Sequence, residues 1–384
     1  MREVLPELLD WWEAGETAGV GTVVATYRSA PRQPGATMLV GPDGRAVGSV
    51  SGGCVEAAVY DLAQQISATG TPVLQRYGVS DDDAFAVGLT CGGIIDVYVE
   101  PVDRASYPEL GEIAADIRDG RPVAVATLVT HPDQRLVGRR LVVRSAAGTG
   151  GRPTDSIDSL GSLGSRRLDE AAAEGAAGLL AVGQSRCLSF GADGQRQGEA
   201  ARVFVRSFAP APRMLVFGAI DFAAALAETG RFLGYRVTVC DARPVFATAI
   251  RFPGADEVVV SWPDRYLADE AAAGRIDGRA AICVLTHDPK FDVPLLQVAL
   301  RLPEVAYVGA MGSRRTHARR MTLLREAGLT PAELARLSGP IGLDLGARTP
   351  EETALSIAAE LVALSNGGSG ARLTDRSGRI HGAD

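Results

Sequence analysis

At 384 residues the chain exceeds what one hydrophobic core usually serves, so two domains are expected. Its 46% hydrophobic and 22% charged residues exclude a largely disordered chain. A net charge of −7 argues against a polyanionic partner, and no apolar run reaches membrane-spanning length, so neither nucleic acid nor membrane is expected.

From Glu3 to Glu16, Val4, Leu8, Leu9 and Trp12 recur at helical spacing. Glu3, Glu7 and Asp10 stand where a leader peptide carries basic charge, so the chain reads as cytoplasmic. A β-rich run, Gly21 to Tyr27, follows. Ala36 to Val40 and Arg45 to Val50 flank the turn Gly41-Pro42-Asp43-Gly44 and predict a hairpin. The hairpin leads to Ser51-Gly52-Gly53-Cys54-Val55-Glu56, and Val55, Val59, Leu62, Ala63 and Ile66 then recur at helical spacing. The Gly-Gly-Cys therefore sits at a strand-to-helix turn.

Further strands are predicted at Pro72 to Tyr77, Ile94 to Val99, Pro122 to Thr130 and Leu136 to Arg144, with a helix at Tyr107 to Arg118. Ala146 to Ser165, dominated by Gly, Ser, Asp and Thr, reads as a long surface loop. Strands are predicted at Gly178 to Val182, Cys187 to Phe190 and Val203 to Phe208, before the linker Ala209-Pro210-Ala211-Pro212. Residues 1–208 are thus expected to form an α+β domain with a mixed sheet.

Beyond the linker, strands at Met214 to Phe217, Arg236 to Cys240, Glu257 to Val260, Ala280 to Leu285 and Val305 to Val308 alternate with helices such as Phe222 to Phe232, Pro294 to Arg301 and Arg314 to Ala327. That alternation predicts a Rossmann-like parallel-sheet domain over 213–364. Thr349-Pro350-Glu351-Glu352 reads as a capping box opening the last helix, and 365–384 as a polar tail without fixed structure.

Several constellations bear chemistry. Asp241 ends the second strand of the C-terminal domain, at the roughly 20-residue interval where a carboxylate meets a ribose in dinucleotide folds. The preceding loop, however, reads Gly218-Ala219-Ile220-Asp221: Ile220 stands in place of a second glycine, and Asp221 either caps its helix or repels an anion. Gly309-Ala310-Met311-Gly312-Ser313-Arg314-Arg315, followed by His317, Arg319 and Arg320, is the best candidate phosphate site; the competing reading is a solvated basic helix face. His287 and Asp288 leave the ligand-binding edge of a strand, where a capping Asp beside a structural His is favoured over a metal site. The five cysteines do not make a disulfide framework. Two of them, in Gly52-Gly53-Cys54 and Cys91-Gly92-Gly93, are flanked by glycines that let a large ligand approach, so Cys54 and Cys91 are candidate soft metal ligands; either alone reads as a small buried hydrophobe.

Taken in order, Gly48-Ser49-Val50-Ser51-Gly52-Gly53-Cys54-Val55-Glu56, Gly88-Leu89-Thr90-Cys91-Gly92-Gly93, Cys240-Asp241-Ala242-Arg243, Thr286-His287-Asp288, Tyr307 to Ser313 and Ile341-Gly342-Leu343-Asp344 resemble the XdhC/CoxI family, the xanthine dehydrogenase accessory proteins. The resemblance runs from about Glu3 to Leu364. It implies a maturation factor, not usually catalytic itself, that binds and protects molybdenum cofactor (molybdopterin), supports its sulfuration with a cysteine desulfurase, and inserts it into a molybdenum hydroxylase apo-enzyme. It implies cofactor-binding roles for Ser51, Gly52, Gly53, Cys54, Glu56, Cys91, Gly92, Gly93, Asp241, Arg243, His287, Asp288, Gly312, Ser313 and Arg314. A homodimer is one way to enclose so large a cofactor. The alternative is an NAD(P)-dependent oxidoreductase, with NAD(P) disfavoured by Ile220 and Asp221.

Overall fold

The protein is described by a computed structural model covering residues 1–27, 32–53, 55–78, 93–145 and 157–377. The chain divides after Pro210 into two compact units.

The first unit contains α1 (Leu5–Glu13), β1 (Ala18–Tyr27), β2 (Thr37–Val40), β3 (Ala46–Gly48), α2 (Glu56–Thr69), β4 (Val73–Tyr77), β5 (Ile94–Val102), α3 (Leu110–Arg118), β6 (Val123–Thr130), β7 (Arg140–Ser145), β8 (Ile157–Gly161), α4 (Arg166–Val182), β9 (Arg186–Phe190) and β10 (Ala201–Phe208). Its strands form two five-stranded sheets, β3-β2-β1-β5-β4 and β8-β7-β6-β10-β9. An α+β unit is what the sequence predicts, but the expected mixed sheet is two sheets whose pairings all run antiparallel. Short connections such as the turn between β2 and β3 permit only that direction. Helix α2 covers the first sheet through Val59, Ala63 and Ile66.

Two sequence expectations fail here. Residues 178–182 are not a strand but the end of α4, which starts at the Ser165 cap and stops at left-handed Gly183. Leu168, Ala172, Ala173, Ala176, Ala177 and Leu180 give it a buried face, so alanine periodicity outweighs the short apolar run. Within the supposed surface loop, residues 157–161 form β8 and pair with β7.

The second unit contains β11 (Arg213–Phe217), α5 (Asp221–Phe232), β12 (Arg236–Asp241), β13 (Glu257–Val260), α6 (Pro263–Ala272), β14 (Ala281–Val284), α7 (Pro289–Arg301), β15 (Tyr307–Ala310), α8 (Arg314–Glu326), α9 (Pro331–Leu334), β16 (Leu337–Ser338) and α10 (Pro350–Ser365). The sheet order is β13-β12-β11-β14-β15-β16, every pairing parallel. Met214 and Val216 pack on one face with Leu226 of α5 and Leu361 of α10. Leu215 and Phe217 pack on the other with Leu295 and Leu324 of α7 and α8. Burial on both faces explains why these strands read as continuous apolar runs. The strand order reverses between β11 and β14, and in such sheets ligands bind outside the carboxyl ends of the strands at that point.

Candidate functional site

The loops at the carboxyl edge of the parallel sheet decide what it can hold. Gly218 follows β11 at φ +115°, and a Cβ there would lie 2.9 Å from the Thr286 amide, so only glycine lets the loop after β14 approach this closely. The next amide, Ala219 N–H, donates to Asp241 Oδ2 at 2.7 Å. Asp241 Oδ1 accepts from the Arg243 amide and Nε, and Oδ2 also from Arg243 Nη2. Burial alone would raise the Asp241 pKa; the Arg243 guanidinium and the Ala219 amide hold it below the usual carboxylate range. At 2% exposure Asp241 therefore clamps its own loop and is not presented to a ribose. Asp221, read as a helix cap, is the first residue of α5 with no capping bond; it points into solvent and pairs with Arg251 at 3.2 Å. Its charge lies where a pyrophosphate would sit.

The turn after β15 differs. Gly312 has φ +146°, and a Cβ there would press on Thr316 Cγ2 at 3.1 Å. Ser313 caps α8, its Oγ accepting from the Thr316 amide at 3.1 Å. The helix's geometry leaves the Arg314 and Arg315 amides without an intrahelical acceptor, its first turn carries no acid, and both side chains are exposed. Donor chemistry here fits a phosphate ester. Arg320, which the sequence groups with these cations, instead turns inward at 3% exposure. Its Nη2 donates to Asp292 Oδ2 at 2.7 Å and to the Met311 carbonyl at 2.8 Å, while Asp292 also accepts from the Thr286 hydroxyl. This buried chain ties the loop after β14 to the loop after β15.

His287 is exposed, and Asp288 caps α7 by accepting from the Lys290 amide at 3.0 Å, the structural role favoured from sequence. Nearby, Trp262 ends the segment after β13, and its ring meets Phe291 of α7 at 5.3 Å between centroids. Sequence reading missed this pair; Ser261-Trp262-Pro263-Asp264 held the signal, since proline at a first helical position opens α6.

In the first unit, the turn 49–53 is wrapped around Glu56, the first residue of α2. Among the described residues, its carboxylate accepts six hydrogen bonds: from the Ser49 and Ser51 hydroxyls and the Ser51, Gly52, Gly53 and Val55 amides. Burial would raise its pKa; the Ser51 and Ser49 hydroxyls and the Ser51 amide overcome that and lower it to about 2. Glu56 thus fills the positive end of α2 itself and acts as the turn's clamp. Gly52 and Gly53 are exposed at φ +82° and +126°, with no described residue within 4 Å of a Cβ at either, so their backbone conformation is what calls for glycine. Gly93 lies with its carbonyl against Gly78. Cys54, Cys91 and Gly92 lie outside the described residues. The three described cysteines are buried or half-buried thiols, with burial raising Cys187 to about 11 and Cys240 and Cys283 to about 12. Among the described residues, no group of three or more His, Cys, Asp or Glu side chains could hold a metal ion.

The motif at 341–344 is accounted for by packing: Gly342 takes φ +98°, its amide donates to Glu360 Oε2 at 2.8 Å, and the Leu343 carbonyl accepts from Ser356 of α10 at 2.5 Å.

Residues 214–361 match the XdhC Rossmann domain, and residues 11–78 and 116–191 match the XdhC and CoxI family. The chain belongs to the XdhC/CoxI family. Among its relatives, a Bacillus subtilis protein named as a probable xanthine dehydrogenase subunit is 26% identical, over 91% of this chain and 94% of that protein. The molybdenum cofactor insertion chaperone PaoD of Escherichia coli is 26% identical, over 94% of this chain and 88% of its own. A crystal structure described as a xanthine dehydrogenase from Bacillus halodurans shares the fold, with a TM-score of 0.64 and 24% identity over 94% of this chain and 95% of that one. No helix among the described residues is long and apolar enough to cross a membrane.

Proposed function

We propose that this XdhC/CoxI member is a molybdenum-cofactor carrier that protects the cofactor, supports its sulfuration by a cysteine desulfurase, and inserts it into a molybdenum hydroxylase. One observation carries the reading: at the ligand edge of the parallel sheet, the dinucleotide loop is closed on Asp241 while the Gly312–Arg315 turn keeps two amides and two guanidiniums for a phosphate. The relative named as an insertion chaperone supports the same reading.

In this proposal the Arg314 and Arg315 amides and Gly312 hold the pterin phosphate, and Ser313 fixes the turn. In the first unit, Cys54 and Cys91 are the proposed soft thiolate ligands for molybdenum, with Glu56 fixing the turn next to Cys54 in sequence. The bound cofactor brings the molybdenum chemistry; the chain itself binds, orients and shields, as a maturation factor without turnover of its own. NAD(P) is disfavoured, because the first loop amide, that of Ala219, already serves Asp241. The setting is cytoplasmic, and a homodimer is one assembly that could enclose so large a cofactor.

The test is the molybdopterin content of the full chain purified from cells that make the cofactor, beside an Arg314→Glu, Arg315→Glu double variant. Near-stoichiometric pterin in the parent, falling about tenfold in the variant, is expected. A cofactor-free parent protein, or NADH binding in a fluorescence titration, sinks the proposal.

A further inference from the structure

An aromatic ring left exposed at the carboxyl edge of a parallel sheet is informative, because that edge is where such sheets bind ligands and a ring face there is free to stack. Trp262 is 46% exposed, although it sits between a strand and a helix of the sheet domain. Its backbone is held firmly: the neighbouring Ser261 amide donates to the Asp241 carbonyl at 3.2 Å, the Ser261 carbonyl accepts from Cys240 Sγ at 3.6 Å, and Pro263 starts α6. Phe291 supports the indole at 5.3 Å with a 50° tilt, so the ring is braced. Two cations lie over the pair, Arg265 at 5.9 Å from the indole centroid and Lys290 at 4.8 Å from the Phe291 centroid, the lysine also paired with Asp288 at 3.2 Å. Val260, two residues before Trp262 at the end of β13, is 52% exposed.

A braced, solvent-facing indole, itself electron-rich and attended by cations, suits a flat, electron-poor nitrogen heterocycle carrying negative charge. Such rings stack on aromatic side chains, and the cations favour their anionic substituents. The loop positions agree, since Trp262 follows β13 and Phe291 lies in the first turn after β14, both at the carboxyl edge of the sheet. A docked protein segment is less favoured, because the apolar surface here is small and broken by charge.

We infer that Trp262, braced by Phe291, is a stacking platform for a phosphate-bearing planar nitrogen heterocycle, and that this heterocycle is the pterin of the carried cofactor. This rests on the carrier reading above. It adds a ring contact that the phosphate turn does not supply.

Two sources share this chemistry, a pterin and an adenine nucleotide, and the experiment separates them. Full-length parent, Trp262→Leu and Trp262→Phe are purified from cells that make the cofactor, and pterin per chain is measured; each is also dialysed to equilibrium against ADP. The expected result is pterin in the parent, about a tenfold loss in the leucine variant, most of it kept in the phenylalanine variant, and no retained ADP. Parent-like pterin in the leucine variant overturns the platform and leaves the carrier reading standing. A parent without pterin overturns both. ADP retained by the parent and lost from the leucine variant assigns the platform to nucleotides and overturns the pterin assignment. Thermal melting accompanies each variant, and Trp262→Gln replaces the leucine variant if that one does not fold.

Discussion

Glu56→Gln removes one charge and almost no volume from the turn that carries Ser51, Gly52 and Gly53. The carboxylate serves six donors among the described residues, and an amide has one oxygen to offer them, so the bonds to the Ser51 hydroxyl and the Gly53 and Val55 amides through Oε2 are those placed at risk. The pKa of Glu56 falls from 4.5 to about 2 in the folded state. A carboxyl with a depressed folded pKa contributes stability above its unfolded pKa and loses it as pH falls through the folded one. The window is therefore pH 4.5 down to about 2. The shift converts to about 3.4 kcal/mol at most, and solvent screening of this partly exposed group brings the expected contribution to about 1–2 kcal/mol at pH 7. By pH 3 roughly 40% of that should remain. Denaturant unfolding of the first unit in parent and variant, at pH 7, 4.5 and 3, measures it, and hydrogen exchange at the Ser51, Gly52, Gly53 and Val55 amides localises it. Equal midpoints at pH 7, or a gap that stays constant down to pH 3, would refute the clamp.

Gly218→Ala should cost on the order of 2 kcal/mol or more, since it combines φ +115° with a Cβ 2.9 Å from the Thr286 amide; an unchanged melting temperature contradicts the close approach. Arg320→Met should lose about 3–5 kcal/mol by stranding buried Asp292, and adding Asp292→Leu should recover part of it; additive losses in denaturant melts would show that the pair is not coupled. His317 is pushed below its ordinary pKa by burial and then by Arg320, so it stays neutral at pH 7 and acid must destabilise the fold as pH drops below 6.5. An NMR titration placing its midpoint at or above 6.5 rules this out.

The parallel sheet is legible in the sequence because strands buried on both faces leave unbroken apolar runs, as Met214 to Phe217 and Ala281 to Val284 do. Helix α4 is not, because its buried face is alanine, which separates weakly from the glycine around it. Strand β8 escapes notice because residues 157–161 join their sheet by backbone pairing, whatever their composition. At the site, turn positions are readable from glycine and serine, whereas the direction of a charged side chain is not. Asp241, Glu56 and Arg320 each look available to a ligand in one dimension, and each satisfies partners in its own unit. Asp292 lies 28 positions from the arginine that it neutralises, and no local pattern records that pairing.

The bond from Asp241 to the Ala219 amide amounts to a built-in tenant. Nucleotide coenzymes are abundant in any cell, and a seat shaped like theirs invites crowding by the wrong guest. A tethered carboxylate needs no diffusion to return, so a passing pyrophosphate meets a donor that is already occupied. The Rossmann-like cleft thus persists as architecture with its first loop amide already engaged.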